Sequence, residues 1–191
     1  MIQNTWPLIT ADEIEKCFTD NQLLEKKSFF IIETDKKGYN TNRNPGTYIE
    51  EIQTIKNAYN DGFTIVVKNM ENYNEAIRKK AAEYGRDVDV CMFLSPREGS
   101  SFGWHKDEED VYVHLVSGKK VFFVEYPFGE HQASSIIERH ILVPGDVLHI
   151  PPGYSHCAFT LGSSIHLSFG VKQYPYYHLA GGLTKEELGL V

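Results

Sequence analysis

The chain has 191 residues, 41% of them apolar and 13% aromatic, and a formal net charge of −7. That length suits one domain and that apolar share can close a core, which excludes a disordered chain. The acidic balance, with basic residues in scattered pairs (Lys26-Lys27, Lys36-Lys37, Lys79-Lys80, Lys119-Lys120), argues against a nucleic-acid partner, and no apolar run reaches the roughly 20 residues of a membrane span.

Helical signals occupy the first half. Thr10-Ala-Asp-Glu13 has the capping-box pattern, with Ile14 and Phe18 on one face beyond it. Thr47-Tyr-Ile-Glu50 repeats the pattern and opens a stretch carrying Ile49, Ile52 and Ile55 that ends at Gly62. Asn72 or Asn74 is placed to cap a third helix running through Ala81-Ala82 to Gly85. Between the last two, Phe63-Thr-Ile-Val-Val-Lys68 reads as a short buried strand.

From residue 88 the pattern changes. Val88–Leu94, Val111–Val116, Lys120–Tyr126, Ile141–Ile150 and Ser164–Val171 all read as strands, short, rich in β-branched and aromatic residues, and broken by Gly, Pro and Ser. This predicts a single domain over 1–191: a helical part at 1–87, a barrel core at 88–171 and a tail at 172–191. The fold class is mainly β with N-terminal helices.

Two segments point to one chemistry. In His105-Lys-Asp107, residues two apart on an extended chain aim an imidazole and a carboxylate the same way. In Gly145-Asp-Val-Leu-His-Ile-Pro-Pro-Gly-Tyr-Ser-His156 a strand is reversed by a Pro-Pro-Gly turn, which holds His156 on the returning chain. Two His and one carboxylate form a facial triad that leaves coordination positions open on a non-haem Fe(II). A two-residue hairpin at Ser117-Gly118 would pair Leu115 with Lys120, putting Lys120 on the side of His105 and Asp107 and His114 on the other. A lysine facing inward wants an anion such as a dicarboxylate; one at a hairpin tip instead snorkels to solvent.

The run from Ser95 through His105-Lys-Asp107 to Lys120, and Pro144-Gly-Asp-Val-Leu-His-Ile-Pro-Pro-Gly-Tyr-Ser-His156, resemble the two metal motifs of the cupin-like JmjC oxygenases. The second also fits the general cupin pattern G-x5-P-x-G-x2-H, from Gly145 through Pro151 and Gly153 to His156. The resemblance implies a double-stranded β-helix (jelly-roll or cupin barrel) and an Fe(II)- and 2-oxoglutarate-dependent hydroxylase. His105, Asp107 and His156 would be its metal ligands and catalytic residues, and Lys120 would bind the far carboxylate of 2-oxoglutarate with help from Ser95 or Ser168. The implied substrate is a peptide, a protein side chain or an amino acid. Many such protein hydroxylases carry a helical dimerisation region and a winged-helix domain after the barrel, whereas here about twenty residues follow the last predicted strand. Two other classes stay open: a metallo-cupin dioxygenase or isomerase that uses no 2-oxoglutarate, and a non-catalytic binding module. His-x-Asp where those cupins carry His-x-His, together with Lys120, favours the first reading.

The remaining signals are structural. His114, His131, His140, His149, His166 and His178 read as structural or exposed, with His166 the one to watch because Ser164-Ile-His-Leu-Ser168 belongs to the same barrel. Cys157 should face away from His156, and Glu108-Glu109-Asp110 reads as an acidic surface loop before a cation-attracting one. Tyr174-Pro-Tyr-Tyr177 could line a homodimer contact or cover the core. Three cysteines without C-x-x-C spacing, and a start lacking a basic region followed by an apolar stretch, predict a cytoplasmic setting.

Overall fold

The structure is a computed structural model that describes residues 2–4, 9, 10, 12–14, 16, 29–32, 52–97, 102–127 and 135–172. Among the described residues the strands and longer helices are β1 (Ile2–Asn4), β2 (Phe29–Ile32), α1 (Ile52–Asn60), β3 (Thr64–Val67), α2 (Glu75–Tyr84), β4 (Val88–Ser95), β5 (Asp110–Pro127), β6 (Ser135–Leu142), β7 (Asp146–Ile150) and β8 (Ser155–Val171), with a single 3-10 turn at Met70–Asn72 and a short helical stretch around residues 12–16. All pairings are antiparallel, in the order β1-β7-β5-β8-β4-β3-β2, with β6 on β5.

Two long strands turn this ladder into a barrel. The first half of β5 lies between β7 (Val111↔Ile150) and the last third of β8 (Val111↔Gly170). Its second half lies between β6 (Lys120↔Leu142) and the start of β8 (Val124↔His156). Both strands therefore serve two facing sheets, the arrangement of a double-stranded β-helix. Val111, Val113, Leu115, Phe122, Val124, Leu148, Ile150 and Ala158 fill the space between them. A second core covers the outer face of the larger sheet. There Ile55 and Ala58 of α1 and Ile77 and Ala81 of α2 pack on Ile65, Val67, Val90, Met92, Leu94, Leu167 and Phe169.

Local rules account for the helical part. Glu13 Oε2 accepts from the Thr10 amide at 2.8 Å while the Glu13 amide donates to Thr10 Oγ1 at 3.3 Å, a closed capping box. Asn74 caps α2 by accepting from the Ile77 amide at 3.0 Å, and Gly85 ends it. The expected strand at 63–68 is β3, buried throughout.

Three expectations are corrected. The chain makes no hairpin at Ser117-Gly118: β5 runs on unbroken, and Leu115 is in register with His166 instead of Lys120. Gly118 marks a close crossing, since a Cβ there would overlap the Ser163 carbonyl oxygen of β8. The segment 141–150 is two strands, because Pro144-Gly145 forms a turn closed by the Asp146 amide on the Val143 carbonyl at 3.0 Å. The first half also carries β1 and β2, which join the sheet by pairing with β7 and β3; short strands without alternation lack a signal of their own. The segment 47–50, Phe18, the tyrosines at 174–177, His131, His178 and Cys17 lie outside the described residues. Among the described residues no helix is long and apolar enough to cross a membrane, and Cys91 and Cys157 are free thiols.

Candidate active site

His156 opens β8, and the turn before it fixes its place. Pro151-Pro-Gly-Tyr154 closes with the Tyr154 amide on the Pro151 carbonyl at 3.3 Å, and Gly153 takes φ +77°, a conformation costly for any other residue type here. The Gly153 amide then donates to the Asp107 carbonyl at 2.8 Å. His105 and His156 exchange both backbone hydrogen bonds, at 3.0 and 2.9 Å, in an isolated bridge. Two segments some fifty residues apart in sequence are thus pinned by backbone alone.

The side chains converge as a result. Asp107 Oδ2 lies 4.0 Å from His105 Nε2 and 3.5 Å from His156 Nε2, and one ligand atom from each residue falls within 4.8 Å of the others. Nδ1 of His105 donates to the Gly103 carbonyl at 2.8 Å and Nδ1 of His156 to the Tyr154 carbonyl at 3.0 Å. Those bonds leave both Nε2 lone pairs facing the carboxylate, which is how ligating histidines are oriented. Burial, and then the nearby His105, hold the His156 pKa below its ordinary value. Such a cluster can hold one divalent cation and leave positions open.

A cavity of about 480 Å³ opens onto the cluster, walled by Cys91, Phe93, Phe122, His166 and Ser168 and rimmed by Trp104 and Glu109. Lys120 is fully buried, its Nζ 3.0 Å from Ser95 Oγ and 3.2 Å from His166 Nδ1. The inward placement expected for Lys120 is correct, but the route to it differs. Inward residues on β5 are odd-numbered through Leu115 and even-numbered from Lys120, because the extra residue at the Leu115/Ser117 irregularity shifts the alternation by one. Ser95 joins Lys120, whereas Ser168 lines the cavity wall.

His166 and Ser164 are the residues that sequence reasoning undervalued. The His166 ring stacks on Phe93 with centroids 4.5 Å apart, and Ser164 Oγ is buried without a hydrogen-bond partner. The signal was present: Ser164, His166, Ser168 and Gly170 alternate along one strand and so share its inner face. The acidic run divides. Glu108 is exposed, Asp110 bonds His149 at 2.6 Å, and Glu109 enters the cavity rim, where burial and then Asp89 raise its pKa. His114 is on the helix side, as expected, 2.6 Å from the Tyr84 hydroxyl. His140 meets Tyr126, and Cys157 is buried in register with Phe123, away from His156.

A sequence model of the JmjC domain matches residues 66–179. The chain belongs to the JmjC domain family. Its curated relatives include the bifunctional lysine-specific demethylase and histidyl-hydroxylase NO66 of Drosophila mojavensis, 25% identical over 191 residues, covering 89% of this chain and 21% of that protein. The same protein of Drosophila pseudoobscura pseudoobscura is 27% identical over 136 residues, covering 62% and 14%. The chain thus spans about a fifth or less of the length of these JmjC relatives. Among solved structures, Escherichia coli ribosomal oxygenase YcfD superposes with TM-score 0.60 at 20% identity, covering 95% of this chain and 50% of that one. Its complex with cobalt and 2-oxoglutarate gives 0.58 at 19% identity with the same coverage. At that identity the likeness shows the fold, which is that of the cupin-like oxygenases.

Proposed function

We propose that this JmjC-family chain is an Fe(II)- and 2-oxoglutarate-dependent oxygenase that hydroxylates a peptide or protein side chain, or an amino acid. The observation that carries the reading is a three-donor cluster on a cavity whose wall includes His166, behind which the fully buried Lys120 lies with its Nζ 3.2 Å from His166 Nδ1. Neutral imidazole nitrogens and a carboxylate suit a ferrous ion, and a triad with open positions suits oxygen chemistry. This neighbourhood suits a carboxylate: Lys120 Nζ is a buried donor held beside Ser95 and His166, and the Ser164 hydroxyl close by on β8 is buried without a hydrogen-bond partner among the described residues. When bound, the iron would supply the chemistry by which dioxygen, 2-oxoglutarate and a substrate C–H give succinate, carbon dioxide and a hydroxyl on the substrate.

The chain's own residues have separable tasks. His105, Asp107 and His156 would hold the metal, with the Gly103 and Tyr154 carbonyls keeping the histidine rings aimed. Lys120, with Ser95 behind it, would bind the far carboxylate and so fix the angle of the keto acid. Val111, Val113, Phe122 and Ala158 line the same cavity as the three donors and make that part of its wall apolar, which would limit water. The names of the relatives, a lysine demethylase, a histidyl-hydroxylase and a ribosomal oxygenase, support a protein side chain as substrate.

The test is succinate formed from 2-oxoglutarate by anaerobically purified protein after Fe(II) and oxygen are added. Turnover that disappears in Asp107→Ala is the expected result. Absence of turnover, together with absence of 2-oxoglutarate binding to metal-loaded protein, overturns the reading in favour of a metallo-cupin that uses another substrate.

A further inference from the structure

The two sheets of the barrel differ in what covers them. Helices α1 and α2 pack over the outer face of the larger sheet. The smaller sheet, made of β6, the second half of β5 and the start of β8, keeps its outer apolar side chains exposed. Ile137, Ile141 and Val143 on the β6 side and Phe159 and Leu161 on β8 all face solvent, Leu161 to 61%. Strand register fixes which residues share this face. From Lys120 onward the inward residues of β5 are even-numbered, so Val121, Phe123 and Glu125 point outward, with Lys119 ahead of them. Val121 is in register with Ile141 and Phe159, Phe123 with Arg139 and Cys157, and Glu125 with Ile137 and Ser155. Phe123 and Phe159 meet edge to face, with centroids 6.0 Å apart. Glu138 belongs to the other face, where it stands 3.6 Å from His140.

The order of the charges identifies the partner. Lys119 stands at one end of the outward row of β5 and Glu125 at the other, about 20 Å apart, with Val121 and Phe123 between. Lys119 and Arg139 are exposed and have no ion-pair partner among the described residues. A row that runs cation, apolar, apolar, anion is complementary to its own reverse. We propose that this face packs on the same face of a second copy, about a two-fold axis crossing the strands at the level of Phe122. That axis sets Lys119 of one copy against Glu125 of the other, and Val121 against Phe123. On the β6 side it sets Val143 against Ile137 and lays Ile141 along the stem of Arg139; on β8 it sets Phe159 over Cys157 and Leu161 over Ser155. An axis one side-chain level away leaves Glu125 opposite Phe123, or Lys119 opposite Val121, and loses both ion pairs. Three strands about 4.8 Å apart and seven residues of about 3.3 Å each project to roughly 330 Å² per copy. That is small for a specific interface, so the dimer is a reversible one.

Sedimentation velocity on the whole chain tests this, from about 10 μM to about 1 mM, the range over which a small interface fills. The expected result is a monomer–dimer equilibrium without larger species. Lys119→Glu and Glu125→Lys each place like charges at both symmetric contacts, so each alone should weaken association at least roughly tenfold. Mixed in equal amounts, the two variants bring opposite charges together at both contacts, and the dimer should return. Leu161→Asp, at the most exposed position of the patch, should dissociate it with circular dichroism unchanged. A wild type that stays monomeric throughout overturns the proposal, as does growth into species larger than a dimer. Single charge variants that associate as strongly as wild type, or a mixture that associates no better than its components, overturn the two-fold pairing. Should a charge variant fail to fold, undiminished association of folded Leu161→Asp overturns it.

Discussion

Replacing Lys120 with Met should make the protein more stable and useless to a dicarboxylate. The side chain is fully buried, and burial takes its pKa from an ordinary 10.5 to about 7. That drop corresponds to about 5 kcal/mol by which folding is penalised when the unfolded lysine is charged. Met fills a similar volume without a charge, but it leaves the His166 Nδ1 acceptor without its lysine donor, a loss of about 1–2 kcal/mol. The net gain is about 3 kcal/mol, or roughly 8 °C in Tm for a chain of this size. The pH dependence has a definite sign. Between pH 7 and 10.5 the unfolded lysine binds the extra proton, so wild-type stability rises with pH and the advantage of the Met variant shrinks. Below pH 7 the advantage is full. Urea unfolding of both proteins at pH 6.5, 8 and 9.5, beside 2-oxoglutarate titrations, reads both consequences. A variant equal to or less stable than wild type at pH 6.5, or a gap that fails to narrow by pH 9.5, would refute the reasoning.

Two further outcomes follow from the same packing. Gly118→Ala meets the Ser163 carbonyl at a position with φ +78°, so it should cost about 3 kcal/mol or more and lower the urea midpoint, because neither backbone can withdraw without opening the corner. His114, whose pKa burial depresses to about 4, should make the wild type lose stability as pH falls from 6.5 to 4, since the unfolded histidine takes the proton first. His114→Gln, which keeps an acceptor for the Tyr84 hydroxyl, should flatten that part of the stability profile; an unchanged slope would remove His114 as its cause.

The parts of this fold legible in sequence are those carried by local chemistry. The capping residues Thr10, Glu13 and Asn74 act on their own neighbours, and each performs as its pattern indicates. The convergence of His105, Asp107 and His156 was readable because a two-residue spacing and a Pro-Pro-Gly turn restrict the backbone strongly. What misled was Gly118, whose meaning is set by a β8 carbonyl more than forty residues away. Glycine admits both a tight turn and a close crossing, and sequence does not separate them. The inward lysine came out correctly only because one extra residue in β5 shifts the alternation as the supposed hairpin would have done. His166 escaped for a different reason: a histidine in a strand reads as packing until its neighbour across the barrel is known to be Lys120.

His105, Asp107 and His156 are proposed to form one metal centre on the wall of the cavity. Anaerobic titration with Co(II), followed by visible absorption and calorimetry, tests it most directly. The wild type should bind one ion per chain, and Asp107→Ala and His156→Ala should lose that binding with circular dichroism and urea midpoint nearly unchanged. Undiminished one-to-one binding in both folded variants would contradict it.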